Sequence, residues 1–166
     1  SVITEGLYVV GSDPSNEDLY ENLYTFRQRG PAWTPISTAA VMPEMLETPK
    51  VGVSIAIDGN TAVIGARDYD NRGMVLVYVQ DAETGQWSRQ ATLQVAGLPL
   101  GAKFGTSVDI SGDTIVVGAG AMDDDDTGRP NGADNAYIFE RSGDTWRQSA
   151  ELAGFHDGFG MSVAID

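Results

Sequence analysis

The sequence predicts an all-β fold built from repeated units, and three observations support this prediction. First, similar segments begin at Ser1, Ser54, Ser107 and Ser162, which are spaced 53, 53 and 55 residues apart. Second, stretches such as TIVVG and TWRQSAEL have the β-branched runs and the apolar–polar alternation of buried and half-buried strands. Third, 20 Gly and 7 Pro among 166 residues indicate many turns. A four-stranded unit of about fifty residues, repeated along a chain, is typical of a β-propeller, in which each unit forms one blade.

Each repeat is predicted to contain four short strands. In the third repeat we expect strands at 104–110, 114–119, 134–141 and 145–152. Asp58-Gly59-Asn60 and Ser111-Gly112-Asp113 suit tight hairpins, because Gly accepts a positive φ. The predicted repeats cover residues 1–50, 51–103 and 104–158, and residues 159–166 form a strand that opens or closes another blade.

Small and aromatic residues recur at matching positions of the repeats. The small pairs each follow an apolar triplet: Gly11-Ser12, Gly65-Ala66 and Gly118-Ala119. The aromatic columns are Phe26, Tyr78 and Phe139, and Trp33, Trp87 and Trp146. We expect the glycines to allow close approach of backbones and the aromatic side chains to pack between adjacent blades. The alternative is a ring of exposed aromatic side chains that bind sugars.

These motifs resemble the FG-GAP repeat family, which includes the blades of integrin α-chain propellers and of many bacterial surface or secreted proteins. Phe104-Gly105 and Phe159-Gly160 match the FG element. Val117-Gly118-Ala119 and Ile64-Gly65-Ala66 match the GAP element, with Gly120 and Arg67 in place of the proline. The resemblance covers essentially the whole chain and is strongest across 51–166. It implies a propeller fold in an exported, prokaryotic protein.

An acidic stretch, AMDDDDTGRPNGADN, joins the second and third strands of the third repeat. Its oxygen-bearing side chains are the hard ligands that Ca²⁺ prefers. The candidate ligands are Asp123, Asp124, Asp125, Asp126, Asn131 and Asp134. The alternative is a solvated acidic loop without an ion.

The other repeats also place carboxylates between strands two and three, at Asp68 and Asp70 and at Asp13, Glu17 and Asp18. All of these are expected on one rim of the propeller. The calcium loop of integrins, DxDxDG, lies instead between strands one and two. Here that hairpin, IDGN or ISGD, is too short to wrap an ion, so the integrin sites do not transfer.

Composition and motifs exclude several functional classes. The formal net charge of −14 disfavours nucleic acid and anionic membranes as partners. The chain has no cysteine and no apolar run long enough to insert in a membrane. Its one histidine, His156, has no accompanying nucleophile motif and is interpreted as a loop residue between blades.

The ends of the sequence raise the question of how the first blade is completed. The first repeat begins after its FG position, whereas FGMSVAID at 159–166 is a first strand with no blade of its own. One hypothesis is that this strand completes the first blade of a partner chain, giving a six-bladed ring from two chains. The competing hypothesis is that the chain is part of a longer propeller.

Three functions are compatible with the sequence. The first is a non-enzymatic adhesion or binding module, extracellular or on a cell surface, which contacts a protein or glycan and whose rim loops are ordered by Ca²⁺. The second is a structural subunit that assembles by strand exchange. The third is an accessory propeller of an enzyme.

Overall fold

A computed structural model describes residues 6–12, 21–29, 31–41, 54–120, 134–154 and 158–166, and in sheet 1 it describes the side chains of Phe26 and residues 32–34 only. Eleven described strands form three antiparallel sheets. Sheet 1 contains β1 (Gly6–Ser12), β2 (Glu21–Arg29) and β3 (Ala32–Val41). Sheet 2 contains β4 (Ser54–Asp58), β5 (Thr61–Ala66), β6 (Met74–Gln80) and β7 (Trp87–Leu93). Sheet 3 contains β8 (Phe104–Ser111), β9 (Thr114–Ala119), β10 (Asn135–Ser142) and β11 (Thr145–Ala153).

The strands of every sheet follow one another in chain order. The all-β prediction is therefore confirmed. All four strands expected in the third repeat are present, and each begins and ends within one residue of its predicted position. A 3₁₀ turn, Tyr69–Asn71, separates β5 from β6. In the part of the chain that the structure describes, no helix has the length and apolar character needed to cross a membrane.

A β-bulge recurs at the same place in all three sheets. The register shifts between Thr25 and Phe26 in sheet 1, between Val77 and Tyr78 in sheet 2, and between Ile138 and Phe139 in sheet 3. Each shift leaves one extra residue on the last strand, which bends and twists that strand. This shared irregularity shows that sheet 1 has the same strand plan as the last three strands of sheets 2 and 3.

Three hairpins turn on a glycine in the left-handed region. Gly59, Gly112 and Gly143 have φ values of 57°, 56° and 61°. No heavy atom beyond the neighbouring residues lies within 4 Å of where their Cβ atoms would be, so backbone conformation alone selects glycine. The hairpins predicted at 58–60 and 111–113 are thus confirmed.

Sheet 2 is buried on both faces, as the unbroken burial of β5 shows. We call the face that packs on the next sheet along the chain the front face, and the opposite face the rear face. The front face of sheet 2 packs with the rear face of sheet 3 in one core. From sheet 2 this core takes Val63, Val75, Val77 and Leu93, and from sheet 3 it takes Ile115, Val117, Tyr137, Phe139 and Trp146. A second core covers the rear face of sheet 2 and contains Ala62, Ile64, Leu76, Tyr78 and Trp87.

A serine hydroxyl joins each of two sheets to the segment that follows it. Ser54 Oγ donates to the carbonyl oxygen of Gly105 at 2.9 Å, and Ser107 Oγ donates to that of Gly160 at 2.8 Å. Both acceptors are the glycines of the FG pairs, with φ values of 89° and 81°. The serine column and the FG motif therefore form one repeated joint.

The glycines of the small pairs allow this joint to close. A Cβ on Gly65 would overlap the carbonyl oxygen of Gly105, and a Cβ on Gly118 would overlap that of Gly160. The φ values of Gly65 and Gly118 are ordinary, so space and not backbone conformation selects glycine here. The expectation that these glycines allow backbones to approach is confirmed.

The tryptophan column behaves differently in sheet 1. Trp87 and Trp146 are buried, and Trp146 Nε1 donates to Gln90 Oε1 of sheet 2 at 2.9 Å. Packing between sheets is thus confirmed for Trp146, whereas Trp33 is exposed. The prediction is wrong for Trp33, because no described residue covers the rear face of sheet 1 around it as β7 covers Trp146.

The segment 159–166, predicted as a strand that opens or closes another blade, follows sheet 3. Residues 158–162 form turns and bends, residues 163–166 have no regular secondary structure, and none of them has a ladder partner among the described residues. The segment nevertheless contacts sheet 3, since Ile165 N–H donates to Asp109 Oδ2 at 2.8 Å. The segment contacts sheet 3 through the same Ser–Gly bond by which β8 contacts sheet 2. Among the described residues, no second strand pairs with it.

Candidate functional site

The three longest connections, 67–73, 94–103 and 120–134, leave from one end of sheets 2 and 3. In a sheet whose strands follow in order, connections alternate between the two ends. The tight turns at 59–60, 112–113 and 143–144 share one end with the connection 81–86. The connections 67–73, 94–103, 120–134 and 154–158 share the other, which we call the loop end. Loops on a rigid scaffold are where binding residues concentrate, so the loop end is the candidate functional site.

The loop after β5 holds an unusual backbone. Asp70 and Asn71 both have positive φ, at 46° and 53°, in consecutive non-glycine positions. Asp and Asn tolerate this region better than other side chains, and Gly73 follows with φ 91°. The Arg72 and Gly73 N–H groups both donate to the Tyr69 carbonyl, which fixes the turn.

Ion pairs tie this loop to the connection between β7 and β8. Lys103 Nζ lies 2.7 Å from Asp68 Oδ1, and Arg67 Nε lies 3.7 Å from the other oxygen of Asp68. Arg72 contacts Asp70 at 3.0 Å and also donates from Nε to the Leu98 carbonyl at 2.9 Å. Asp68 and Asp70, the two carboxylates expected at this loop from the sequence, are therefore paired with lysine and arginine side chains of the same chain.

A groove of about 420 Å³ lies between the two loops. One side is formed by Asp70, Arg72 and Gly73, and the other by residues 94–96 and 98. Its walls combine charged groups, an amide side chain and aliphatic side chains. Such a lining suits a polar ligand with some apolar surface, such as an extended peptide or a sugar.

The predicted calcium ligands fall mostly outside the described residues. Asp123, Asp124, Asp125, Asp126 and Asn131 belong to 121–133, and of the six only Asp134 is described. Asp134 Oδ1 is buried and has no hydrogen-bond partner among the described residues. Those residues contain no group of three or more His, Cys, Asp or Glu side chains that could hold a metal.

A polar cluster stands beside Asp134 at the start of β10. Asn135 Nδ2 donates to Glu151 Oε1 at 2.7 Å and to the Tyr137 hydroxyl oxygen at 3.3 Å. The Tyr137 hydroxyl lies 3.5 Å from the same Glu151 oxygen. Burial raises the pKa of Tyr137 above its ordinary value of 10.0, a hydrogen bond from Asn135 opposes the rise, and the Glu151 carboxylate adds to it.

This raised pKa predicts an alkaline loss of stability. The phenol is held neutral in the folded chain, so its contribution is complete below pH 10.0 and is lost as the pH rises through the higher folded pKa. Tyr137→Phe is expected to remove this alkaline loss, so that the free energy of unfolding changes less with pH above 10.0. Urea titrations from neutral to alkaline pH measure this, with Tyr69→Phe as the control. An equal alkaline loss in wild type and Tyr137→Phe would contradict the assignment.

His156 lies within 155–157, outside the described residues. The serine column received no role from the sequence, although the hydroxyl at position 54 joins sheet 2 to sheet 3 and the hydroxyl at position 107 joins sheet 3 to the segment 158–166. Its signal was present in the sequence, because serine occupies the same position in all four aligned segments.

Comparison with family models gave a match over part of the chain. A model of the FG-GAP repeat matches residues 87–139, which run from the start of β7 into β10 and include Phe104-Gly105 and Gly118-Ala119. The match at 87–139 agrees with the FG-GAP resemblance found in the sequence. Comparison with curated proteins found no match.

Proposed function

We propose that this FG-GAP repeat chain is a run of consecutive β-propeller blades whose role is to bind a ligand and not to catalyse a reaction. The observation that carries the proposal is that the three longest connections leave from the same end of sheets 2 and 3, which the Ser54–Gly105 bond joins. A rigid stack that presents irregular loops on one side is suited to recognition.

The arrangement of sheets 2 and 3 supports the propeller. Each is a four-stranded antiparallel meander, and the front face of one packs on the rear face of the next. The close contact between sheets lies at their first strands, where Ser54 Oγ reaches Gly105. Blades that meet at their first strands and diverge outward are arranged around a common axis.

The ligand that fits the loop end is a protein or a glycan. The groove between residues 70–73 and 94–98 has room for a few residues of peptide or a sugar unit. Asp70 and Arg72 offer an acceptor and a donor at its wall. Because the chain carries a net charge of −14, a basic surface on the partner would be attracted over long range.

Calcium is proposed to order the loop of the third repeat. The buried, unpartnered Oδ1 of Asp134 supports this, because a buried carboxylate oxygen needs a donor or a cation. The residues that would hold the ion are Asp134 with Asp123, Asp124, Asp125, Asp126 and Asn131 of the adjoining segment. A bound Ca²⁺ would supply positive charge and fix the loop for ligand contact.

We also propose that the protein works in adhesion outside the cell or at a cell surface. The support is the FG-GAP repeat at 87–139 and its resemblance to repeats of surface and secreted proteins. The Ser54 hydroxyl donates to the Gly105 carbonyl of sheet 3 and the Ser107 hydroxyl to the Gly160 carbonyl of the following segment, which argues against a catalytic use of that column.

Calcium is expected to raise the melting temperature of the wild-type chain and to have little effect on the double variant Asp123→Ala, Asp125→Ala. An ion that binds only the folded state stabilises it by mass action, and the variant removes two of its ligands. Thermal unfolding with and without a chelator measures the difference. An equal rise in both proteins would remove the calcium site from the proposal.

The binding function itself is tested on glycan and peptide arrays. Ligand capture is expected for the wild type and is expected to fall when Asp70→Ala and Arg72→Ala are combined. The matched control is Asp144→Ala with Arg147→Ala at the opposite end of the sheets. Absence of any captured ligand, or equal loss in both double variants, would contradict a binding site at the loop end.

A further inference from the structure

The groove at the loop end begins where the ladder between β6 and β7 stops. The last pair of that ladder is Val75 and Leu93, which lie opposite each other. Beyond this pair the two segments separate, so that residues within 70–73 form one wall of the groove and residues within 94–98 form the other. The groove is therefore a gap between two segments that are hydrogen-bonded neighbours one step further along the sheet.

The wall at 70–73 has little main chain to offer a ligand. The N–H groups of Arg72 and Gly73 donate to the Tyr69 carbonyl within the same loop. The carbonyl oxygen of Arg72 accepts the N–H of Phe104. This wall can therefore recognise a ligand mainly through the side chains of Asp70 and Arg72.

The opposite wall offers main-chain donors. The N–H groups of Gln94, Val95 and Ala96 donate to no described residue. All three residues line the groove, and Gln94 and Ala96 are exposed. Successive free N–H groups suit a ligand that carries carbonyl or carboxylate oxygens along its length.

Arg72 is fixed across the groove and still has donors to spare. Its Nε donates to the Leu98 carbonyl of the opposite wall at 2.9 Å, and its Nη1 donates to Asp70 Oδ2 at 3.0 Å. The N–H groups of its Nη2 have no acceptor among the described residues, and the side chain is 43% exposed. A guanidinium that is held in place and keeps a free edge is arranged to bind a carboxylate.

A strained backbone contributes to holding Arg72. Asp70 and Asn71 are consecutive non-glycine residues in the left-handed region, with φ values of 46° and 53°. Such conformations cost free energy, persist only where the surroundings fix them, and cluster at ligand-binding sites. Here the strained turn sets the Asp70 carboxylate beside the guanidinium of Arg72.

The charge around the groove is opposite in sign to that of the whole chain. The connections 67–73 and 94–103 carry the cations Arg67, Arg72 and Lys103 and the carboxylates Asp68 and Asp70. They are therefore net positive in a chain of formal net charge −14. This local excess favours an anionic group on the ligand, whereas the attraction of the whole chain for a basic partner acts over a longer range.

We propose that the groove binds a peptide segment that carries an aspartate or glutamate side chain. The carboxylate pairs with the free edge of Arg72, and the N–H groups of residues 94–96 donate to carbonyl oxygens of the peptide. Main-chain bonds then supply affinity and Arg72 supplies selectivity. A peptide fits better than a glycan, because sugar rings are generally held by stacking on an aromatic side chain and no lining residue is aromatic. The proposal rests on the proposed binding function and names the class of its ligand.

Paired peptide libraries test the carboxylate preference. The probes are acetylated hexapeptide amides with glutamate fixed at one position and mixtures elsewhere, and the matched set has glutamine at that position. The wild-type chain is expected to bind the glutamate set about tenfold or more tightly than the glutamine set. This comparison uses the unsubstituted chain, so it does not depend on the folding of any variant.

Arg72→Gln is expected to abolish the preference for glutamate, and Arg72→Lys is expected to weaken it because lysine lacks the planar fork. The matched control is Arg147→Gln at the opposite end of the sheets, which is expected to keep the preference. Circular dichroism confirms that each variant is folded before its binding is compared.

Equal binding of the two peptide sets by the wild type, or a preference that persists in folded Arg72→Gln, overturns the inference. Capture of glycans without capture of either peptide set also overturns it, while leaving the binding function in place. If neither peptides nor glycans are captured, the binding function itself is contradicted, so the two failures are distinguishable.

Discussion

Replacing Trp146 with alanine is expected to lower the free energy of unfolding by about 3–5 kcal/mol, the range for removing a large aromatic side chain from a packed core. Trp146 is buried in the core between sheets 2 and 3, and its indole N–H donates to Gln90. The guanidinium carbon of Arg141 lies 5.1 Å from the centroid of the indole ring, which adds a cation–π contact. Chemical unfolding followed by circular dichroism measures the loss.

Trp146→Phe is the matched control for this substitution. It keeps an aromatic ring in the core and removes the hydrogen bond to Gln90. The expected cost of the lost hydrogen bond is about 1 kcal/mol, to which the smaller ring adds a modest packing loss. A loss below about 1 kcal/mol for Trp146→Ala would mean that the indole does not fill a core between sheets.

Gly65→Ala is expected to destabilise the chain by about 3 kcal/mol, at the upper part of the range for overpacking. The added methyl group would overlap the carbonyl oxygen of Gly105, and that oxygen accepts the Ser54 hydroxyl. The Gly105 oxygen belongs to the backbone and the Ser54 oxygen to a short side chain, so neither atom can move aside alone. The two sheets must therefore separate to make room for the methyl group. The measurement is again the free energy of unfolding.

Gly85→Ala separates this effect from backbone strain. Gly85 has φ 70° in an open turn, with no atom within 4 Å of where a Cβ would stand, so alanine there costs about 1–2 kcal/mol of conformational energy. Gly65 has an ordinary φ and would be the milder substitution if only the backbone mattered. A smaller loss for Gly65→Ala than for Gly85→Ala would contradict the close joint between sheets.

The strand plan could be predicted from the sequence because it depends on local signals. Alternating residues in TWRQSAEL and the β-branched run TIVVG specify strands, and Gly112 marks the turn that precedes β9. The recurrence of these signals every 53–55 residues identified the repeat. The same recurrence revealed the serine and glycine columns, but it did not show which contacts these residues make.

The joints could not be predicted because they depend on contacts between residues more than fifty positions apart. The bond from Ser54 to Gly105 joins the first strands of two sheets, and no local pattern specifies which hydroxyl meets which carbonyl. The exposure of Trp33 likewise depends on which sheet lies behind it. For the candidate site, the sequence located Asp68 and Asp70 on the loop end but not their pairing with Lys103 and Arg72.

Nuclear Overhauser spectroscopy on the folded chain tests whether sheets 2 and 3 stack face to face. The chain has only three tryptophans, so the indole N–H of Trp146 can be assigned. We expect contacts from this proton to the side chain of Gln90 and from the methyl groups of Val63 and Val77 to the rings of sheet 3. Contacts confined within each sheet, with none between sheets 2 and 3, would contradict the stacking of the repeats.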